Sequence, residues 1–130
     1  MLLMPFICGC SKNYEQMIIG DWFQCYYELS YTDSENPSDN GKVVYEYTKE
    51  TAEYFVSYTK DGKFTYSSKD GEVTISGTWS LEKGKLTQQY DDGYSDTDDI
   101  AFDGNNKFYM THTESTDGAL AYYKQGWRRM

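Results

Sequence analysis

Proline is nearly missing from this chain, with two residues in 130, and histidine occurs once. The three cysteines, Cys8, Cys10 and Cys25, contain no Cys-x-x-Cys pair, so neither a disulfide framework nor a zinc site is written in the sequence. Cys8-Gly9-Cys10 reads as a metal-binding pair only if further ligands follow, and nothing downstream completes a site. Basic residues are scarce: 12 Lys and Arg stand against 21 Asp and Glu, for a net charge of −9. Their only dense cluster is Arg128-Arg129, which argues against the basic patch a nucleic-acid binder exchanges for counterions. The acidity serves solubility and keeps the domain off anionic surfaces. No apolar run approaches the roughly 20 residues of a membrane-spanning helix. No Gly-rich loop feeds a helix, so a phosphate cradle is not expected. Convincing helical periodicity, domain-sized repeats and low-complexity tracts are likewise missing.

What is present is aromatic. Phe, Trp and Tyr make up 18% of the residues, and Tyr alone contributes 14. Such side chains suit a pleated, half-buried surface. The 11 glycines fall largely in turn pairs: Asn40-Gly41, Asp61-Gly62, Asp70-Gly71, Lys83-Gly84, Asp92-Gly93, Asp103-Gly104 and Asp117-Gly118. These pairs favour hairpins, and their short spacing between aromatic runs points to a sandwich or barrel. Alternation is clearest over residues 72–82, where Val73, Ile75, Gly77, Trp79 and Leu81 share a face opposite Glu72, Thr74, Ser76, Thr78 and Ser80. Phe64 with Tyr66, Phe108 with Met110 and His112, and Leu120 with Tyr122 repeat the pattern. Residues 48–54 hold some helix formers and read as a short helical turn or a bulged link between strands. Residues 32–40 form the longest polar loop, and residues 94–99 an acidic one. The expected fold is all-β: a single-domain, antiparallel up-and-down β-barrel of about eight strands, which removes the edges of a meander.

The N-terminus carries a different signal. Met1 through Gly9 are mostly apolar, and after Cys10 the chain turns at once to Ser11-Lys12-Asn13. Ile7-Cys8-Gly9-Cys10 resembles the lipobox that ends a bacterial lipoprotein signal peptide, in which the final cysteine is lipidated. That resemblance implies residues 1–10 as signal ending at Cys10, residues 11–16 as tether and residues 17–130 as the barrel domain. The mature protein would then be extracytoplasmic, attached to the outer membrane on its periplasmic or surface side through the lipid alone. No Lys or Arg precedes Cys10 and the apolar stretch is short for an export signal, so it reads as the end of a longer one. The competing reading is an ordinary apolar N-terminal strand. With Cys8 removed, Cys25 is the remaining thiol and is expected to pack as a small hydrophobe.

Two further motifs suggest a family. Gly20-Asp21-Trp22 opens the first long strand. Gly77-Thr78-Trp79-Ser80-Leu81 leads through Lys85-Leu86-Thr87 to a closing Trp127-Arg128-Arg129. Over residues 17–130 this resembles the lipocalins, and in its second half the lipocalin-like domains on lipoproteins of gut-type Bacteroidota. The resemblance implies that Trp22 closes the barrel base with Arg128 or Arg129 over its ring, a cation–π contact. Thr116-Asp117 stands where lipocalins often carry Thr-Asp-Tyr, but Gly118 replaces the Tyr, and the family's usual disulfide is absent.

Candidate chemistry is sparse. His112 is read as a core or rim histidine able to touch a ligand, and one His cannot supply a metal site or a triad. The carboxylates at Asp91, Asp92, Asp96, Asp98 and Asp99 could bind Ca²⁺, but their spacing is not that of an EF-hand, and charge clustered in a turn is usually solvated. Glu28 and Glu46 could be imagined as an acid/base pair, which is expected by chance in so acidic a chain. Tyr26, Tyr45, Tyr47, Tyr58, Tyr66 and Tyr90 either line a ligand cavity or fill and cover a small barrel. The sequence therefore points to a lipoprotein that binds a small apolar or amphipathic ligand, without catalysis, metal or cofactor. The alternative is a filled barrel that docks on another protein of the cell envelope.

Overall fold

The computed structural model describes residues 14–130. The proposed signal, Cys8, Cys10 and the start of the tether lie outside the described residues. Nine strands follow in order: β1 (Gly20–Asp33), β2 (Gly41–Glu46), β3 (Tyr54–Tyr58), β4 (Lys63–Ser68), β5 (Thr74–Glu82), β6 (Lys85–Tyr90), β7 (Ser95–Phe102), β8 (Lys107–Thr116) and β9 (Ala119–Arg129). All pair antiparallel, and β1 with β9 closes the ring, so β1 and β3 through β9 make an eight-stranded up-and-down barrel with β2 added beside β1.

The turns account for this topology. Six of the seven Gly pairs place their glycine at positive φ, as tight hairpins require. The exception is Asn40-Gly41, where Gly41 simply begins β2 and the connection is a loop with a 3₁₀ turn at Pro37–Asp39. The 48–54 link is a turn stitched by Thr48 and Thr51, whose hydroxyls lie 3.2 Å apart. Residues 94–99 are not a loop: most of them belong to β7.

One end of the barrel is packed. Trp22, Phe64, Phe108, Leu86 and Tyr58 are all essentially buried there, with Ile18 beneath them. Trp22 meets Phe108 edge-on at 4.8 Å between ring centroids. Among the described residues packing extends back to Tyr14, before residue 17: residues 14–17 form a helical turn, and the Tyr14 ring sits 4.8 Å from that of Phe102. A second, smaller cluster of Phe23, Cys25 and Ala52 lies on the outside of the wall, covered by the 48–54 link. Cys25 is buried in it as a free thiol.

The other end is built unevenly. β1 pairs with β3 only over Gly20 to Phe23, and β7 with β8 only from Asp99 and Thr111 toward the base. Beyond those points β2, β1, β9 and β8 rise together as a four-stranded flap, while β3 through β7 stop short. The barrel mouth lies between flap and short wall.

Candidate binding site in the open half of the barrel

The base is closed by Arg129. Its guanidinium lies 4.2 Å from the centre of the Trp22 ring. It also donates to the carbonyls of Met17 at 2.7 Å, Ile19 at 3.0 Å and Asn105 at 3.1 Å. The Trp22 indole N–H donates to the Ile18 carbonyl at 2.8 Å. Arg128 is one register step away, opposite Phe23, and is exposed. Of the two arginines considered for this position, Arg129 occupies it, because alternation turns Arg128 outward.

Above this plug the barrel is hollow. A cavity of about 300 Å³ is walled by Val56, Ile75 and Met110 on the apolar side, by Tyr58, Tyr66, Tyr90 and Trp127, and by the polar groups of Gln88, Gln125, Asp96 and Asp98. That is the low end of the roughly 300–1,000 Å³ of small-molecule sites. The polar groups are partly tied to the wall. The Tyr58 hydroxyl donates to Gln88 Oε1 at 2.9 Å, and the Tyr90 hydroxyl to Asp96 Oδ2 at 2.7 Å. Burial raises the Tyr58 hydroxyl above the ordinary tyrosine range and takes Tyr66 up to about 12. Tyr90 is raised by burial and then by its bond to Asp96. All three tyrosines are therefore neutral donors at physiological pH. Trp127 is 2% exposed, and its indole N–H has no hydrogen-bond partner.

Asp98 marks the gap where β7 and β8 separate. Its Oδ1 is 3.1 Å from His112 Nδ1, and His112 Nε2 is 3.4 Å from Glu114. Burial pushes the Asp98 carboxyl up to about 6, against the opposing pull of His112. The imidazole thus bridges the split wall and turns its ring toward Tyr123, 6.3 Å away.

The aromatic candidates divide three ways. Tyr58, Tyr66 and Tyr90 reach the cavity, and His112 reaches its rim through Asp98. Tyr26 and Tyr47 do not: both pack on the outer cluster around Phe23 and Cys25. For Tyr26 the reason is a bulge between Gln24 and Tyr26, which reverses the alternation so that Tyr27, and not Tyr26, continues the inner face. Tyr26 instead bonds Glu28 at 2.7 Å and meets Tyr109 edge-on. Tyr45 stands on β2, 52% exposed and stacked on Tyr27, outside the barrel proper.

Asp96, Asp98 and Trp127 are site residues that the sequence reading did not assign. The signal was available for the two aspartates. Asp96, Asp98, Ile100 and Phe102 alternate within one strand, with Ile100 and Phe102 in or against the core. Read as a single acidic cluster, these residues hid their own alternation. Asp99 faces away and pairs with Lys85. Among the described residues no group of three or more His, Cys, Asp or Glu is placed to hold a metal ion. Glu28 and Glu46 lie on the outer face of the flap, on β1 and β2, away from the cavity.

Fold and site together define a closed antiparallel eight-stranded barrel with a packed base and a hollow, acidic, aromatic-lined upper half. Compared with protein-family models the chain matches none, and no curated protein matches it.

Proposed function

We propose that this chain is a carrier or receptor for a small amphipathic ligand, without catalysis, and that a lipid on Cys10 holds it outside the cytoplasm on a bacterial membrane. The observation that carries the binding reading is the unfilled upper half of the barrel, a cavity of about 300 Å³ walled by aromatic and polar side chains. The lipocalin-like entry motif at Gly20 to Trp22 and the Arg129 plug support the same reading. The anchor rests on Ile7 through Cys10 alone.

Native mass spectrometry and thermal shifts against a panel of lipids, bile acids and sugars test the binding. A ligand at a hundred times its Kd adds about 2.7 kcal/mol of stability. A panel without binders, together with a large loss of stability when Gln125→Phe adds bulk to an interior that has no room for it, overturns the reading. Mass spectrometry of membrane-extracted protein tests the anchor, which an unmodified Cys10 in the mature chain would rule out.

Docking on another envelope protein has one observation in its favour. Among the described residues β2 is an edge strand, with Val43, Val44 and Tyr45 between 43% and 52% exposed.

A further inference from the structure

Resting on the reading of the barrel as a ligand carrier, we propose that the ligand is an organic cation, with an ammonium group seated beside Asp96 and Asp98 and a body packed among Tyr66, Tyr90 and Trp127.

Two observations converge on this. First, both carboxylates line the cavity, while its wall contains no Lys or Arg. Among the described residues Asp96 has no ion pair, and Asp98 has only the imidazole of His112. The Asp98 side chain is only 17% exposed, and a carboxylate taken that far out of water is costly, so an incoming cation removes part of the cost. Asp96 and Asp98 sit two residues apart on one strand face, about 7 Å along β7, so one ammonium can lie between them. Second, four aromatic side chains share the same wall, and ring faces attract a desolvated cation. Tyr66 and Trp127 stand edge-on at 6.3 Å, and Tyr54 stacks on Tyr66 at 5.5 Å toward the mouth. An anion would meet two carboxylates and no fixed positive group.

The site is also coupled to pH. The groups around Asp98 are Asp96 on the same face of its strand, Asp99 on the opposite face with its partner Lys85, Tyr58 and Tyr90 across the cavity, and His112 from β8, which itself touches Glu114. Protonation of Asp98 removes half of the charge that would hold the cation. Affinity for a cation therefore falls as pH drops from 7.5 to 5.

The test uses three probes of one shape: 2-phenoxyethylammonium, 2-phenoxyethanol and phenoxyacetate. Each is titrated calorimetrically into the protein and into Asp96→Asn, Asp98→Asn and Trp127→Phe, with circular dichroism confirming the fold of each variant. The ammonium is expected to bind about tenfold or more tightly than the alcohol, and phenoxyacetate most weakly. Each Asn variant should cut that lead severalfold. Trp127→Phe should weaken ammonium and alcohol alike and leave their ratio unchanged. If the alcohol equals the ammonium, or phenoxyacetate binds best, the cationic ligand is wrong and the carrier reading stands. If the ammonium does not bind, the cationic ligand is again wrong. If in addition the panel of lipids, bile acids and sugars yields nothing, the carrier reading falls with it.

Discussion

Arg129 donates to three backbone carbonyls from separate segments and covers the Trp22 ring, so one side chain ties the helical turn, the start of β1 and the β7–β8 connection together. A guanidinium can do this because its donors form a fixed planar fork; a lysine ammonium can neither stack nor span three acceptors in that geometry. Gly20 is part of the same joint. It sits at φ +136°, and a Cβ there would lie 2.6 Å from Arg129 Nη1. Arg129→Ala is expected to cost about 2–4 kcal/mol, a fall of roughly 10 °C in melting temperature. Arg129→Lys should recover less than half of it. Arg128→Ala, on an exposed side chain of the same strand, should change stability by no more than about 0.5 kcal/mol. Thermal melts of the three variants separate the two arginines. Sequence alone could name the pair but not choose between them, because the choice depends on which parity of β9 faces inward.

Among the strands, β5 and its turns were the most legible. Ile75, Gly77, Trp79 and Leu81 do share its inner face, and the Lys83-Gly84 pair turns directly into β6. That turn carries a local cost, since Lys83 adopts φ +53° without the short polar side chain that eases the left-handed region. Lys83→Asn is expected to stabilise the protein by about 0.5–1 kcal/mol, read as a shift in the urea midpoint with an unchanged slope. Gly77 has the opposite sensitivity. A methyl group there would run into the Gln89 carbonyl and come within 2.9 Å of the Phe64 ring. Gly77→Ala should therefore destabilise by roughly 2 kcal/mol or more through overpacking, and chemical denaturation would show it. What remained hidden was the bulge at Cys25. A one-residue insertion into a ladder leaves the composition of a strand unchanged while reversing every side chain beyond it. Unbroken alternation therefore places Tyr26 in the cavity, whereas in the structure Tyr27 continues the inner face. β2 was hidden for a related reason: its residues alternate like any strand, and only the partial pairing of β1 with β3 shows that it lies outside the ring.

For the molecule as a whole, the barrel was readable because hairpin turns and period-two alternation are local signals, whereas the cavity depends on which faces eight strands present to one another. That distinction matters most for charge. With a net charge of −9, acidification relieves self-repulsion throughout, but the pH response should be steeper than general repulsion gives, because one carboxyl is held inside. Asp98 titrates near 6, well above its ordinary value of 3.8, chiefly because burial disfavours its charged form. The folded state therefore takes up this proton more readily than the unfolded chain does. Stability rises as pH falls through about 6, the gain is complete near the unfolded value of about 3.9, and above about 7 the penalty is constant. After allowance for the solvent it still meets, the contribution is at most about 2 kcal/mol. Carboxylates held below their usual range act in the opposite sense. Glu28, lowered by its bond to the Tyr26 hydroxyl, and Asp70, lowered by Ser68, contribute stability above the unfolded carboxylate value and lose it as pH falls through their own. Melting temperature should climb from pH 8 to about 5 and turn over below about 4. Asp98→Asn keeps the shape of the side chain and removes its titration. That variant should be more stable than the parent at pH 8, equal to it or less stable near pH 4.5, and flatter between. A parallel offset between the two melting curves across the whole range would show that the Asp98 carboxylate carries no buried-charge penalty. The acidic upper cavity would then be solvated in the free protein and have less need of a counter-charge.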